Sequence, residues 1–290
     1  MILSGKARLA GVIGWPISHS KSPRLHGYWL EKLGIDGAYL PLAIEPENFE
    51  DALRGLMYSG FGGVNVTVPH KEAALKFCDE VDPLAKRIGA VNTIVFKDGR
   101  SYGSNTDAFG FIENLRQYVE NTDFSLDFSL DFFGAKAVVL GAGGASRGVI
   151  VALQDAGVKN IILVNRTKER AEVLAADLSS GADGMITVAD WKDRNEVLNG
   201  CDLLVNTTSL GMAGQPPLEL SLDKLPKSCV VTDIVYAPLV TPLLGLAEKR
   251  GNKIVDGLGM LLHQARPGFE AWFGEKPEVT EDLRKFVLEG

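Results

Sequence analysis

The chain has 290 residues, of which 46% are hydrophobic and 23% charged, and its 30 basic and 37 acidic side chains give a formal net charge of −7. This composition is ordinary for a globular protein and provides no overall positive field to attract nucleic acid or an anionic membrane. The length suggests about two domains. We therefore expect a small-molecule ligand and neither a nucleic-acid nor a membrane partner. Three widely spaced cysteines without a CxxC pair favour a reducing, cytoplasmic location.

Short apolar runs alternate with longer helical patterns along most of the chain. We predict strands over residues 9–13, 38–44, 63–68, 136–140, 160–165, 202–207 and 229–235. We predict helices over residues 23–33, 46–59, 108–118, 145–156, 167–178 and 241–250. Residues 91–103 are predicted to form a hairpin around the turn Lys97-Asp98-Gly99-Arg100. The alternation predicts an α/β protein with mainly parallel sheets.

A domain boundary is expected near Asp107. After it, residues 121–133 contain the sequence DFSL twice in succession, and we expect this segment to be a surface connection without a function of its own. Two helical stretches, 258–273 and 280–288, close the chain. Their periodicity does not assign them to either half.

The most informative local pattern is AVVLGAGGASRG over residues 137–148. A buried strand, a glycine turn and a helix follow one another, which is the order that a dinucleotide pyrophosphate requires. The turn consists of Gly141, Ala142, Gly143, Gly144 and Ala145. Ser146 stands where the usual fingerprint has a third glycine. The alternative at this point is a glycine-rich turn of any α/β fold.

The strand that follows indicates which cofactor the site prefers. An NAD site places Asp or Glu about 20 residues after the glycine turn, whereas Asn165, Arg166 and Thr167 occupy this position here. Arg166 offers a planar cation to a 2′-phosphate, and Arg170 lies on the same helical face. We therefore expect NADP, bound by these four residues, with two solvated arginines as the alternative.

A third strand, residues 202–207, ends in a run of polar residues. In an open parallel sheet, ligands lie at the carboxyl ends of the strands. Thr207 and Ser209 are therefore expected to line the cofactor, mainly through their backbone groups. An ordinary turn is the alternative.

Four polar segments of the N-terminal half come where a strand or turn ends. They are SHSKSP at 18–23, NVTVPHK at 65–71, AVNT at 90–93 and SNTD at 104–107. Ser20 and Ser22 alternate around Lys21, so in an extended turn their hydroxyls point the same way and can bind a carboxylate. The alternative is a simple cap for the next helix.

The second polar segment brings a lysine to the start of a helix. Its alternate residues Val64, Val66 and Val68 are expected to face the core. Lys71 falls in the first turn of the helix, where the macrodipole disfavours the charged form, so it is a candidate proton donor. A neighbouring Asp107 would hold the ammonium in place. The alternatives are a solvated helix start for Lys71 and a helix cap for Asp107.

These segments, in this order, resemble the shikimate dehydrogenase family. The matching motifs are SHSKSP, NVTVPHK, GAVNT, NTD, VLGAGGASRG, NRT and DGLGMLLHQA, and they span nearly the whole chain. The resemblance implies an α/β substrate domain made of residues 1–107 and the C-terminal helices of 258–290. Residues 108–257 would form a Rossmann-like NADP-binding domain.

The resemblance also implies roles for individual residues. The family's catalytic pair matches Lys71 and Asp107. The residues expected to bind substrate are Ser20, Ser22, Thr67, Asn92, Tyr236 and Gln264. Gly257 is expected to contact the cofactor.

The implied reaction is the reversible, NADPH-dependent reduction of 3-dehydroshikimate to shikimate in aromatic amino-acid (chorismate) biosynthesis, without a metal ion. Two alternatives remain, a quinate/shikimate dehydrogenase of dual specificity and a non-catalytic NADP-binding regulator. Ser22 and the NRT segment favour the biosynthetic enzyme. A methylenetetrahydrofolate dehydrogenase would have no use for SHSKSP and NTD. The sequence leaves open whether the protein is a monomer or a homodimer.

Overall fold

A computed structural model of the chain describes residues 2–120, 134–179 and 185–289. The chain divides into two compact units. Unit 1 comprises Met1–Asp107 and Leu262–Gly290, and unit 2 comprises Ala108–Leu261. The repeated DFSL sequence at 123–130 lies outside the described residues.

The strands and helices follow one another along the chain in α/β alternation. The strands are β1 (Arg8–Gly14), β2 (Gly37–Ala43), β3 (Phe61–Val66), β4 (Glu80–Val81), β5 (Thr93–Lys97), β6 (Arg100–Ser104), β7 (Lys136–Leu140), β8 (Asn160–Asn165), β9 (Met185–Asp190), β10 (Leu203–Asn206), β11 (Val230–Asp233) and β12 (Lys253–Val255). The helices are α1 (Ser22–Lys32), α2 (Phe49–Tyr58), α3 (Lys71–Phe77), α4 (Pro83–Ile88), α5 (Asp107–Glu120), α6 (Gly144–Asp155), α7 (Lys168–Ser179), α8 (Pro242–Lys249), α9 (Leu258–Phe273) and α10 (Glu281–Leu288).

Unit 1 contains a six-stranded sheet in the order β2-β1-β3-β5-β6-β4. Strand β1 pairs in parallel with β2 and β3, whereas β5 runs antiparallel to β3 and β6. Asp98 and Gly99 have φ angles of 53° and 72° between β5 and β6, as in a two-residue type I′ turn, so the predicted hairpin is confirmed. The carboxyl ends of β1 and β3 and the start of β5 therefore lie at one edge of the sheet.

Unit 2 contains a six-stranded sheet in the order β12-β11-β10-β7-β8-β9, and each pairing that the structure describes in it is parallel. The core behind this sheet is formed by apolar side chains that include Val138, Leu140, Leu204 and Val231. The strand order reverses at β7, which lies between β8 and β10. A reversal of this kind opens a crevice at the carboxyl ends of the strands, where ligands of α/β proteins bind. The predicted α/β class with mainly parallel sheets is confirmed.

The second boundary between the two units differs from the predicted domain boundary. The predicted domains change at 257/258, before α9, whereas the structure divides the chain inside α9. The first turn of this helix packs in unit 2, where a Cβ on Gly259 would lie 1.7 Å from Asn114 Oδ1. Its last turn packs in unit 1, where a Cβ on Gly63 would lie 2.3 Å from Trp272 Nε1.

The strand predicted over residues 63–68 was too long. Strand β3 ends at Val66, and Val68 is 70% exposed instead of facing the core. The chain leaves the strand here because the Thr67 N–H makes its last bond to β1, at Ile13 O (2.9 Å), and Pro69 has no N–H to continue the ladder. The edge strands β4, β9 and β12 escaped prediction because strands at a sheet edge lack a continuous apolar run. The short helix α4 was not predicted either.

His26 is buried among aromatic rings in the core of unit 1. Its ring stacks on that of Tyr39, with centroids 3.8 Å apart and an interplanar angle of 3°, and contacts Trp29 edge-on. Neither ring nitrogen has a hydrogen-bond partner within the described part of the chain. Burial lowers the pKa of His26 from 6.5 to about 3. Tyr39 therefore packs against an uncharged ring near neutral pH.

We expect His26 to make the protein less stable as the pH falls from 6.5 towards 3. In this window the unfolded chain binds a proton at His26 that the folded chain does not. The stability that uncharged His26 contributes to the folded protein is therefore complete above the pKa of His26 in the unfolded chain and is lost as the pH falls below it. The full shift is worth on the order of 5 kcal/mol. The difference between the free energies of unfolding in urea at about pH 7 and about pH 4 measures the part of this stability that is lost between the two pH values. A His26→Phe variant should lose less stability over this step, and equal losses in both proteins would contradict the assignment.

Candidate active site

Lys71 and Asp107 form an ion pair at the edge of the unit 1 sheet where β1 and β3 end. Each is the first residue of a helix, α3 and α5 respectively, and Lys71 Nζ lies 2.6 Å from Asp107 Oδ2. The side chains are 21% and 10% exposed. They are therefore largely withdrawn from water, which strengthens the charge-assisted hydrogen bond, while a small ligand can still reach Lys71. The expected proximity of the two residues is observed.

Asn92 holds Asp107 from the other side. Asn92 Nδ2 donates to Asp107 Oδ1 (2.7 Å), and Asn92 Oδ1 accepts from the Thr106 N–H (2.9 Å). The Asp107 N–H donates to Asn105 Oδ1 (3.0 Å). The alternative of a simple helix cap therefore does not describe Asp107, because its carboxylate is bound by Lys71 and Asn92. Its position in the first turn of α5 also favours a negative charge.

Ser20 and Ser22 lie where β1 gives way to α1, but the segment is not extended as expected. Lys21 has helical backbone angles (φ −86°, ψ −3°), and its Nζ donates to Val287 O (3.0 Å). The Ser22 N–H donates to Ser20 Oγ (3.3 Å), which begins the helix. The Ser20 hydroxyl is therefore placed against the Ser22 backbone by a helical turn and not by strand alternation.

Thr67 follows β3 directly and packs on the last residue of β1. A Cβ on Gly14 would lie 2.6 Å from Thr67 Cγ2 and 3.3 Å from Val68 O. Only glycine at position 14 leaves room for this threonine. The close approach brings Thr67 to the edge of the sheet that carries the ion pair.

Gln264 and Tyr236 belong to different units. The hydroxyl of Thr106 lies 3.4 Å from Gln264 Oε1, on α9, and 3.2 Å from Asn92 Oδ1, so its single proton has these two acceptors within reach. Gln264 is therefore a neighbour of the Asn92 and Asp107 cluster in unit 1. Tyr236 follows β11 in unit 2, where burial raises the pKa of its phenol. It stays protonated at neutral pH.

Across residues 2–120, 134–179 and 185–289, no three His, Cys, Asp or Glu side chains group together in a way that would hold a metal ion. Over the same ranges, no helix has both the length and the apolar character needed to cross a membrane.

Unit 2 has a pocket at the carboxyl ends of β7, β8 and β10. It is lined by Gly141, Ala142, Gly143, Asn165, Arg166, Arg170, Trp191, Thr207, Thr208, Ser209 and Leu210. Gly141 has a φ of +108°, and a Cβ there would lie 2.7 Å from Thr207 Oγ1, so this turn requires glycine. At Gly143 and Gly144 a Cβ would meet nothing within 4 Å. Packing does not explain these two glycines, whereas close approach of a pyrophosphate does.

Ser146 accounts for the departure from the usual glycine fingerprint. The side chain is fully buried, its hydroxyl accepts from the Gly143 N–H (3.0 Å), and it lies 2.7 Å from Thr207 Oγ1. Thr207 Oγ1 in turn donates to Leu140 O (2.7 Å). The serine therefore ties the start of α6 to the ends of β7 and β10, a connection that a glycine could not make.

Arg166 and Arg170 provide the positive charge of this pocket. Both are exposed, and neither makes a hydrogen bond or ion pair within the described ranges. Lys168 between them is instead held by Asp190, with Nζ 3.4 Å from Oδ1. Two unpaired guanidinium groups beside a glycine turn at a helix start suit a 2′-phosphate and a pyrophosphate. The residues of this pocket therefore fit NADP.

Some predicted cofactor residues do not line this pocket, and some residues that line it escaped prediction. The predicted residues outside the lining are Gly144, Ala145, Thr167 and Gly257. A Cβ on Gly257 would lie 2.4 Å from Ile234 O, so a close backbone approach requires this glycine, and its cofactor contact stays a prediction. Trp191 escaped prediction because it follows the edge strand β9, which the apolar pattern did not show.

A buried carboxylate that the sequence reasoning missed orders the loop after β10. Asp233 Oδ1 accepts from Asn206 Nδ2 (3.0 Å), and Oδ2 accepts from Thr241 Oγ1 (2.7 Å). Burial raises the pKa of Asp233. Asn206 Oδ1 then accepts from the Thr208 N–H (3.1 Å). The lining residues of this loop thus depend on a contact between β10 and β11.

Three family models match consecutive parts of the chain. Residues 12–94 match the shikimate dehydrogenase substrate binding domain. Residues 125–213 match the shikimate/quinate 5-dehydrogenase model, and residues 257–284 match the shikimate 5′-dehydrogenase C-terminal domain.

Relatives match over the full length. A curated shikimate dehydrogenase (NADP(+)) of Paramagnetospirillum magneticum is 61% identical and is matched over 99% of this chain and 100% of that protein. Shikimate 5-dehydrogenase of Thermus thermophilus, solved in complex with NADP(H) and shikimate, is 35% identical with a TM-score of 0.83, over 97% of this chain and 99% of that chain. Quinate dehydrogenase of Corynebacterium glutamicum, in complex with NAD, is 30% identical with a TM-score of 0.87, over 98% and 99%. The chain belongs to the shikimate dehydrogenase family.

Proposed function

We propose that this protein catalyses the reversible, NADPH-dependent reduction of 3-dehydroshikimate to shikimate in aromatic amino-acid (chorismate) biosynthesis. The observation that carries the proposal is the ion pair between Lys71 Nζ and Asp107 Oδ2, 2.6 Å apart, within a cluster of buried polar side chains. Reduction of a ketone to an alcohol consumes a proton, and a half-buried ammonium is a suitable donor.

The substrate offers one carboxylate and several hydroxyls, and unit 1 provides partners for both. We assign the carboxylate to the hydroxyls of Ser20, Ser22 and Thr67, which are neutral donors at the carboxyl ends of β1 and β3. The ring hydroxyls are assigned to Asn92 and Gln264. The amide of each side chain has both a donor and an acceptor, which suits a hydroxyl group.

Lys71 and Asp107 perform the proton transfer in this proposal. Lys71 Nζ donates a proton to the oxygen of the carbonyl as it becomes an alcohol, and takes it back in the reverse direction. Asp107 holds the ammonium within reach and accepts a hydrogen bond from the adjacent substrate hydroxyl. Because Asn92 fixes the second carboxylate oxygen (2.7 Å), Asp107 is aligned before substrate arrives, which lowers the cost of positioning.

Unit 2 holds the cofactor, and bound NADPH supplies the hydride. Gly143 and Gly144 would accommodate the pyrophosphate at the start of α6, where the first N–H groups of a helix have no partner within the helix. Arg166 and Arg170 bind the 2′-phosphate. Tyr236 is assigned to the substrate and Gly257 to the cofactor.

We place this activity in the cytoplasm. Cys78, Cys201 and Cys229 are free thiols. Such thiols persist in a reducing compartment, which supports this location.

Four parallel assays of absorbance at 340 nm test the proposed function. The purified protein is mixed with shikimate or quinate, each paired with NADP or NAD. We expect rapid reduction only with shikimate and NADP. Comparable rates with quinate or NAD would place the protein in the dual-specificity branch. No reduction in any assay would favour a non-catalytic NADP-binding regulator.

A further inference from the structure

A buried tyrosine hydroxyl leads into the polar cluster of unit 1. Tyr39, on β2, is 6% exposed, and its hydroxyl donates to Asn65 Oδ1 (2.6 Å). Burial raises the pKa of Tyr39 well above 10, so the phenol keeps its proton for this bond.

The chain of hydrogen bonds continues from Asn65 to the catalytic pair. Asn65 Nδ2 donates to Thr93 Oγ1 (3.0 Å), and Thr93 Oγ1 donates to Asn92 Oδ1 (3.0 Å). Asn92 Nδ2 then donates to Asp107 Oδ1 (2.7 Å). Asp107 Oδ2 accepts from Lys71 (2.6 Å). One unbroken path thus joins Tyr39, at one end, to Lys71, at the other.

Every member of this path is oriented by its neighbours. Asn65 must present its carbonyl oxygen to Tyr39, because its amide nitrogen donates to Thr93 Oγ1 and to Asn92 O (3.2 Å). The members between Tyr39 and Asp107 are buried, with Asn65 6%, Asn92 3% and Thr93 2% exposed, so water cannot replace a lost partner at low cost. Tyr39 itself is held by the parallel stack on neutral His26.

We propose that Tyr39 is a positioning residue that acts on the Lys71 and Asp107 pair through Asn65, Thr93 and Asn92. This inference rests on the proposed function. Without the Tyr39 proton, Asn65 Oδ1 has no donor, so the side chain of Asn65 is held less firmly against Thr93. The orientation of Asn92, and with it the alignment of Asp107, then depends on fewer hydrogen bonds.

The test is Tyr39→Phe, which removes the hydroxyl and keeps the ring on His26. We expect kcat to fall about tenfold and the KM for shikimate to rise severalfold, while the KM for NADP stays within about twofold. Tyr28→Phe is the matched control, because the Tyr28 ring packs on Phe286 and its hydroxyl has no partner within the described ranges. The control should match the wild type in all three constants.

A double variant separates positioning from a loss of folding stability. Thr93→Val breaks the same path at a second place, so combining it with Tyr39→Phe should lower kcat little further than the larger single loss. Losses that multiply would overturn the coupling. So would a Tyr39→Phe protein with a lowered Tm but unchanged kcat and KM. Inactive wild-type protein would overturn the proposed function itself, whereas active wild type with an unaffected Tyr39→Phe variant overturns only the role of Tyr39.

Discussion

Replacing Lys71 by alanine is expected to lower kcat for shikimate oxidation at least ~10²-fold, the usual scale of general acid–base catalysis. The variant keeps the pocket of unit 2, so the KM for NADP should stay nearly unchanged. Asp107 keeps its bond from Asn92 but loses its cation, which leaves a carboxylate that is only 10% exposed without a counter-charge. Initial rates at saturating shikimate and NADP measure the effect.

Lys76→Ala is the control for this prediction. Lys76 lies on the same helix, α3, with its side chain exposed and without an ion pair within the described part of the chain. The Lys76→Ala substitution also removes one positive charge from α3, and it should leave kcat at the wild-type value. Turnover of Lys71→Ala at the wild-type rate would remove Lys71 from the mechanism.

Replacing Arg166 by alanine is expected to raise the KM for NADP by at least about tenfold, since a hydrogen bond to a charged group contributes roughly 1.5–3 kcal/mol. The KM for shikimate should change much less, because the residues assigned to shikimate carboxylate binding lie in unit 1. NAD has no 2′-phosphate, so its KM should also be little affected. The preference for NADP over NAD should therefore fall by about the same factor.

Lys168→Ala controls for the loss of a positive charge near this pocket. Lys168 is two residues from Arg166 but is paired with Asp190 and does not line the pocket. Its removal should leave the KM for NADP within about twofold of the wild type. An unchanged KM in Arg166→Ala would refute the assignment of the 2′-phosphate.

Local sequence patterns predicted most of the secondary structure and the glycine turn. The runs over residues 136–140 and 160–165 match β7 and β8 residue for residue, because strands buried on both faces need continuous apolar sequence. The Asp98-Gly99 turn was recognisable because few residues adopt positive φ. Where burial is one-sided or incomplete, as in β9, the pattern was too weak.

The sequence by itself determined the α/β class, the positions of the motifs and the absence of a carboxylate from the place it takes in an NAD site. These follow from residues close together in the chain, where periodicity and turn chemistry act. Only the tertiary structure decided that Lys71 meets Asp107, 36 positions away, and that Tyr39 bonds to Asn65. The reason is that buried polar side chains take their partners from whichever strands the fold places side by side, and local sequence does not specify these neighbours.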